Sequence, residues 1–368
     1  MVPALRRCAL FTFMLAGQAL ALPTPIGISS PYAESTIAYD VNAAGQVAAV
    51  LEDGEGNQRG VLFDHGRVIE IATPGGKFSD AKGINDSGEV VGSARNKNGT
   101  WNAFLFDRAH GMRTLGTLGG PSSYGMAINQ QGEAAGFADT VEGDWHAVLF
   151  EFGELKDLGT LGGKISYASG INNLGQVAGT AAMPDQYRHA FRWDPGHGMT
   201  DLGTLGGTSS AASAVNDNGV VVGAALTRAG RWHAFVHDGK RMIDLGAMIA
   251  RGSSFATDIN NAGHGVGTIL DGDERLSFVW RDNKMTIHRG GQGLHLTNAI
   301  NDREQVIGAT YDVHLQAATM LSSARAAVAH GGSDFLMLIG FVLLTACAGV
   351  ILHRRYRGIV LNSYRSVA

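Results

Sequence analysis

One nine-residue phrase recurs seven times along the chain at near-constant spacing: VNAAGQVAA, INDSGEVVG, INQQGEAAG, INNLGQVAG, VNDNGVVVG, INNAGHGVG and INDREQVIG. Its marker asparagines are Asn42, Asn85, Asn129, Asn172, Asn216, Asn260 and Asn301, at steps of 43, 44, 43, 44, 44 and 41 residues. A fixed period of this length signals a repeat architecture, in which one supersecondary unit cannot bury its apolar faces alone and does so against its neighbours.

The unit at residues 164–207 shows what each copy builds. SYASGIN, QVAGTA, RHAFRWD and MTDLGTL are four short β-type runs, separated by NLG, the MPDQY loop, PGHG and a closing glycine pair. The repeated phrase is the first turn. An asparagine caps its own following backbone, and a glycine three residues on supplies the positive φ that closes a tight hairpin. Asn85, Gly88, Asn129, Gly132, Asn172, Gly175, Asn216 and Gly219 are therefore read as structural turn residues. Arg303-Glu304 replaces the glycine in the seventh copy, which predicts a strained or differently built turn there. In the third run His189, Phe191 and Trp193 alternate with Ala190 and Arg192, the period of a strand. Glycine pairs at 75–76, 119–120, 162–163, 206–207 and 290–291 are expected to end the fourth strand and turn the chain into the next unit.

Four strands in about 43 residues is the size of one β-propeller blade, and propellers carry about 4–8 blades. The expected fold is all-β, a seven-bladed β-propeller of four-stranded repeats over residues 22–320. A β-helix is the competing architecture, but its coils are shorter and lack four hairpin-type turns per unit. The seventh copy lacks a clear fourth strand. The orphan run Pro25-Ile26-Gly27-Ile28 is expected to supply it and close the ring, leaving no edge exposed.

Both ends of the chain read as membrane-directed. Residues 1–21 have a basic start (Arg6, Arg7), an apolar stretch and Ala19-Leu20-Ala21, the pattern of a cleavable signal peptide for Sec export, with an N-terminal signal helix. After a linker at 321–334, residues 335–352 form an uncharged apolar run long enough to approach the width of a bilayer core. Arg354, Arg355 and Arg357 follow it, so the positive-inside rule places the tail at 353–368 in the cytoplasm and the repeats outside. Gly331-Gly332-Ser333 ahead of this span also looks like a Gly-Gly type sorting signal, although the stretch after the span is long for one; a retained transmembrane helix is preferred. The only cysteines, Cys8 and Cys347, fall in these two segments, so the repeats carry no disulfide. The net charge is −4, with six arginines gathered at the two ends. The repeat region is thus acidic, which disfavours nucleic acid as a partner.

The words WNAFLFD, WHAVLFE, RHAFRWD and WHAFVHD recur in register with TLGTLGG, DLGTLGG and the IN-x-x-G-x-V-x-G phrase. Together they resemble the bacterial HAF-repeat extracellular proteins, over roughly residues 37–320. The first, sixth and seventh copies depart from the His-Ala-Phe word. The resemblance implies an exported, surface-associated repeat protein and carries no catalytic residue over.

Candidate sites are few. His146, His189 and His233 occupy one position in successive copies, but neighbouring sheets stand about 10 Å apart and zinc needs donors at about 2 Å. They are read as structural bonds to a neighbouring strand or blade, with no metal expected. The acidic loops Glu52-Asp53-Gly54-Glu55 and Asp271-Gly272-Asp273-Glu274 lack an EF-hand pattern and read as solvated charge. No catalytic motif and no cofactor fingerprint occurs. Trp101, Trp145, Arg188 and Trp232 align at the start of the third strand, with Gln58 and Arg275 in the weaker copies. They adjoin the loops whose sequences differ most between copies, where specificity on a regular scaffold resides. They are the candidate ligand contacts, set against a framework role covering blade edges. The expected function is a binding or scaffolding module at the cell envelope, with an envelope protein or glycan as partner and the membrane reached through the C-terminal helix. A propeller hydrolase or lyase acting on polysaccharide is the alternative.

Overall fold

The computed structural model describes residues 35–309, apart from 72, 74–75, 152 and 289–295. It is a β-propeller. Blade 1 is the meander β1 (Ser35–Val41), β2 (Val47–Glu52), β3 (Gln58–Asp64) and β4 (Arg67–Glu70), and blade 2 is β5 (Ser79–Ile84), β6 (Val90–Arg95), β7 (Trp101–Asp107) and β8 (Gly111–Thr114). The same antiparallel order recurs over residues 119–157, 166–201, 206–244 and 253–288, giving blades 3 to 6. The seventh copy contributes a two-stranded sheet, Leu296–Ile300 with Val306–Ala309.

Six four-stranded blades therefore stand where seven were expected. The seventh copy supplies an inner and a second strand, and the rest of its length falls outside the described residues. The orphan run at residues 25–28, the signal segment 1–21 and the apolar segment 335–352 also lie outside them. Among the described residues no helix is long and apolar enough to cross a membrane; a single 3-10 turn at Gly246–Met248 is the one helical element.

The core lies in the seams between sheets. Phe104, Phe191, Phe235 and Phe278 on the third strands of blades 2, 4, 5 and 6 are fully buried, as are Val61 and Val148 at the same position in blades 1 and 3. Phe191 and Trp193 pack backward on Ala147 and Leu149 of blade 3, while Ala190, on the other side of the same strand, packs forward on Ala212 and Val215 of blade 5. Burying one such side chain is worth about 1.5–3 kcal/mol. The alanine of the His-Ala-Phe word serves a second end. Its N–H donates to a serine on the innermost strand of the next blade: Ala103 to Ser123, Ala147 to Ser166, Ala190 to Ser210 and Ala234 to Ser254, all at 2.8–2.9 Å.

Two kinds of glycine explain the drift-resistant positions of the phrase. Gly88, Gly132, Gly175 and Gly219 have φ between 71° and 80°, the left-handed region. Glu304 takes the same conformation in the seventh copy (φ 61°) and makes the same turn bond to the Asn301 carbonyl. That turn is the strained version of the others, held by His264 at 3.0 Å and Arg281 at 3.6 Å from the Glu304 carboxylate. The phrase's last glycine faces a β-bulge on the innermost strand. A Cβ on Gly179 would stand 2.2 Å from the Tyr167 carbonyl oxygen.

The glycine pairs sit one step later than expected. In blades 3 and 5 they open the innermost strand (Gly119–Ile128, Gly206–Val215) instead of ending the outermost one. The second glycine of the pair presses on the end of the second strand: a Cβ on Gly207 would lie 2.5 Å from the Leu226 carbonyl oxygen. Gly75, Gly290 and Gly291 are outside the described residues.

Candidate ligand-binding face

The seven asparagines form a closed belt on one face of the ring. Each side-chain nitrogen donates to the backbone carbonyl of the next copy's asparagine, at 2.8–3.2 Å: Asn42 to Asn85, and so on through Asn129, Asn172, Asn216, Asn260 and Asn301, then back to Asn42. Each asparagine oxygen accepts an N–H within its own turn, as Asn172 does from Leu174 and Gln176. With both ends of each amide committed to the scaffold, the asparagines themselves have nothing left to offer a ligand.

The opposite face carries the loops between second and third strands and the crossings from one blade to the next. Here the three histidines bond within their own sheets. The Nδ1 of His146, His189 and His233 lies 2.8–2.9 Å from a carboxylate oxygen of Asp157, Asp201 and Asp244 on the outermost strand. Blade 1 makes the same link with Arg59 and Glu70, 3.1 Å apart. The acidic loop of blade 1 is also organised: Asp53 Oδ1 accepts the N–H groups of Glu55 and Asn57. The side-chain and backbone bonds from Asn57 hold the Asp53 carboxyl below the usual range.

The aligned residues at the start of the third strand fall in successive seams and do not converge. Trp101 and Trp232 are each 6% exposed. Trp101 stacks on Tyr124 of blade 3 with centroids 6.2 Å apart, and Trp232 on Phe255 of blade 6 at 6.4 Å. Trp145, half-buried, lies 5.5 Å from Phe137, which in turn meets Tyr167 of blade 4 at 6.3 Å. Arg188 is half-buried. The tryptophans thus close inter-blade seams at this face, which is framework packing.

At one of the seams that lack that ring, between blades 1 and 2, a cleft opens. In blade 1 the tryptophan position holds Gln58, and the position of Tyr124 on the next inner strand holds Asp80. Between blades 1 and 2 lies a cleft of about 430 Å³, within the range of small-molecule sites. Asp53, Glu55 and Asn57 of the loop, Arg59 of β3, Glu70 of β4, Lys77 of the crossing and Ser79 of β5 line it, with buried Ile71 at its apolar end. Charges are paired across it: Arg59 with Glu70, and Lys77 with Glu55 at 4.0 Å. Sequence reasoning placed Gln58 in the aligned column without seeing that losing the ring was the signal.

Ionisable groups line the inner strands, Asp80 and Lys82 buried and Asp40 and Asp258 half-buried. Burial pushes the Asp40 carboxyl up to about 6, against the N–H groups of Ile84 and Val41 that it accepts. Burial pushes Asp258 up to about 8; it accepts from Ile300 and Ile259, and the Asp40 charge adds to the rise. Burial also raises Asp80, whose Oδ1 accepts the Ser93 N–H and whose other oxygen is 4.0 Å from Lys82 Nζ. The Lys82 ammonium lies 3.5 Å from the centroid of the Tyr39 ring. Among the described residues no group of three or more His, Cys, Asp or Glu is placed to hold a metal ion.

No family model matches the chain, and no curated protein does. Solved structures do. TolB from Acinetobacter baumannii matches at 13% identity and a TM-score of 0.43, over 70% of this chain and 64% of its own, so this chain spans a little under two thirds of that protein. The β-propeller domain of the Trilobed protease from Pyrococcus furiosus matches at 12% identity and a TM-score of 0.51, over 72% and 88%. An acylaminoacyl peptidase from Pyrococcus horikoshii matches at 13% and 0.50, over 72% and 48%. What the Trilobed protease domain and the acylaminoacyl peptidase have in common with this chain is the β-propeller fold.

Proposed function

We propose that the protein is a binding or scaffolding module of the cell envelope that engages its partner through the face bearing the second-to-third-strand loops. The observation that carries this reading is the contrast between the two faces: one carries the asparagine belt, its amides committed to the scaffold, and the other bears loops of different sequence in every copy and an open cleft at the seam of blades 1 and 2. Regular scaffolds with variable loops discriminate ligands at those loops.

The reading includes the expected address. Residues 1–21 direct Sec export, residues 335–352 anchor the chain, the repeats stand outside and the arginine-rich tail lies in the cytoplasm. The HAF-repeat family is the proposed relationship. A polysaccharide hydrolase or lyase is the second reading and would draw on Asp40 and Asp258, whose raised carboxyls each accept two backbone N–H groups.

The test is retention of envelope proteins and glycans by the full chain and by variants with exchanged loops. Exchanging the loops at 53–57 and 183–187 should change what is retained. Retention that survives this, and is lost when the turn at Asn172–Gly175 is altered in folded protein, assigns the wrong face.

A further inference from the structure

The seam between blades 1 and 2 has the chemistry of a specific ligand class. From it we propose that the cleft binds a neutral polyhydroxylated ligand, a sugar unit, held by hydrogen bonds to Asp53, Glu55, Asn57, Arg59 and Lys77. The inference deepens the binding-module reading and rests on it.

The cleft lies where two positions that carry rings between blades 2 and 3 and between blades 5 and 6 are polar. Trp101 and Tyr124 fill the equivalent space between blades 2 and 3, and Trp232 and Phe255 fill it between blades 5 and 6. With Gln58 and Asp80 in their place the end of the seam stays unfilled, and hydrogen-bonding groups share its wall with apolar surface of nearly equal extent, as suits a sugar with its hydroxyls and C–H faces. An apolar ligand would desolvate these groups without compensation. An ionic ligand fits no better. The carboxylates already face cations, Glu70 and Asp53 about Arg59 at 3.1 and 3.9 Å and Glu55 opposite Lys77 at 4.0 Å. An incoming ion would strip one member from a pair and leave the other uncompensated. A hydroxyl both donates and accepts. Vicinal hydroxyls can donate to a carboxylate and accept from its cation together, so the pairs remain intact. The groups are anchored from behind: Asp53 by Asn57 and Glu55 backbone, and Ser79 by the Gly60 N–H.

The experiment is calorimetric titration of the full chain with free N-acetylglucosamine, galactose, rhamnose and fucose, and with glutamate and putrescine as anionic and cationic probes. Saturable binding of at least one sugar is expected. Gln58→Trp, which restores the ring found in three other blades, should weaken it by about tenfold or more, equivalent to about 1.4 kcal/mol. Should Gln58→Trp fail to fold, Glu55→Gln and Lys77→Gln alter exposed side chains and should each weaken binding severalfold. Ile287→Ser, an exposed position on the outermost strand of blade 6, should leave it unchanged. Binding of glutamate or putrescine in place of sugar overturns the proposal, as does sugar binding that is indifferent to Gln58→Trp in folded protein, or no sugar binding at all. If sugars fail while loop exchange still alters retention of an envelope component, the cleft assignment falls and the binding module stands.

Discussion

At the seam of blades 2 and 3 the sheets meet by direct contact from end to end. Trp101 lies on Tyr124 at the loop face, and at the belt face Gly83 packs so closely that a Cβ would stand 3.1 Å from the Ala127 Cα. At the seam of blades 1 and 2 the equivalent positions are polar: Gln58 and Asp80 at one end, and at the other Asp40, whose carboxylate reaches across to the Ile84 N–H. Yet the middle of both seams is the same, a buried phenylalanine or valine against small residues. The repeat thus needs its centre for stability and leaves the seam ends open to variation. A seam closed by rings is framework, and a seam bridged by polar groups has room for a ligand and a dependence on pH.

The contrast can be broken first at its closed member. Trp101→Gln should destabilise the protein by about 3–5 kcal/mol, the range for losing a buried large aromatic. Gln58→Ala should cost less than about 1 kcal/mol, since no packed ring is lost. Equal thermal midpoints for the two variants would remove the distinction.

The next effect is on the polar seams. The carboxyls of Asp40 and Asp258 are raised on folding, so between about pH 4 and their folded values the native state holds protons that the unfolded chain has released. By linkage, stability is greatest at the acid end of that window and falls as pH rises through about 6 and about 8. For Asp40 alone the shift corresponds to about 3 kcal/mol. Thermal midpoints should fall between pH 5 and 8, and Asp258→Asn should flatten the decline. A midpoint that climbs over this interval contradicts the assignment.

Smaller effects sharpen the picture at the turns. Gly175→Val, at φ 71°, should cost about 1–3 kcal/mol. Glu304→Gly relieves the same backbone strain but forfeits the contacts with His264 and Arg281, so its midpoint should move much less than that of Gly175→Val. Denaturant midpoints with unchanged m-values would report both; comparable losses would mean that the seventh turn is not the strained copy.

Much of this was legible in the chain. The period, the four runs per copy and the Asn-x-x-Gly turns follow from local chemistry, because a tight hairpin needs a capping side chain and a positive φ wherever it occurs. The partner of each histidine was also accessible, since a side chain repeated once per blade can only satisfy itself nearby. The direction of Trp101 and Trp232 was not. In a propeller both sides of the third strand are buried between blades, so alternation does not distinguish a ring facing a seam from one facing solvent. The cleft was readable only in reverse, from Gln58 and Asp80 standing where rings recur. The raised carboxyl of Asp258 owes most to burial and something to the charge of Asp40, which is 218 positions away in sequence and on the other side of the seventh sheet.

The asparagine belt has a consequence for how the molecule is made. Six of its links join adjacent copies, but the last joins Asn301 to Asn42, 259 positions apart. A chain emerging from the N-terminus builds an open arc whose first sheet waits, with its outer seam bare, until the final copy exists. Ring closure has the longest loop to pay for and is expected to be the slow event in folding. A shortened product lacking the seventh phrase would therefore be a sticky crescent with two exposed flanks, open to joining its own kind end to end.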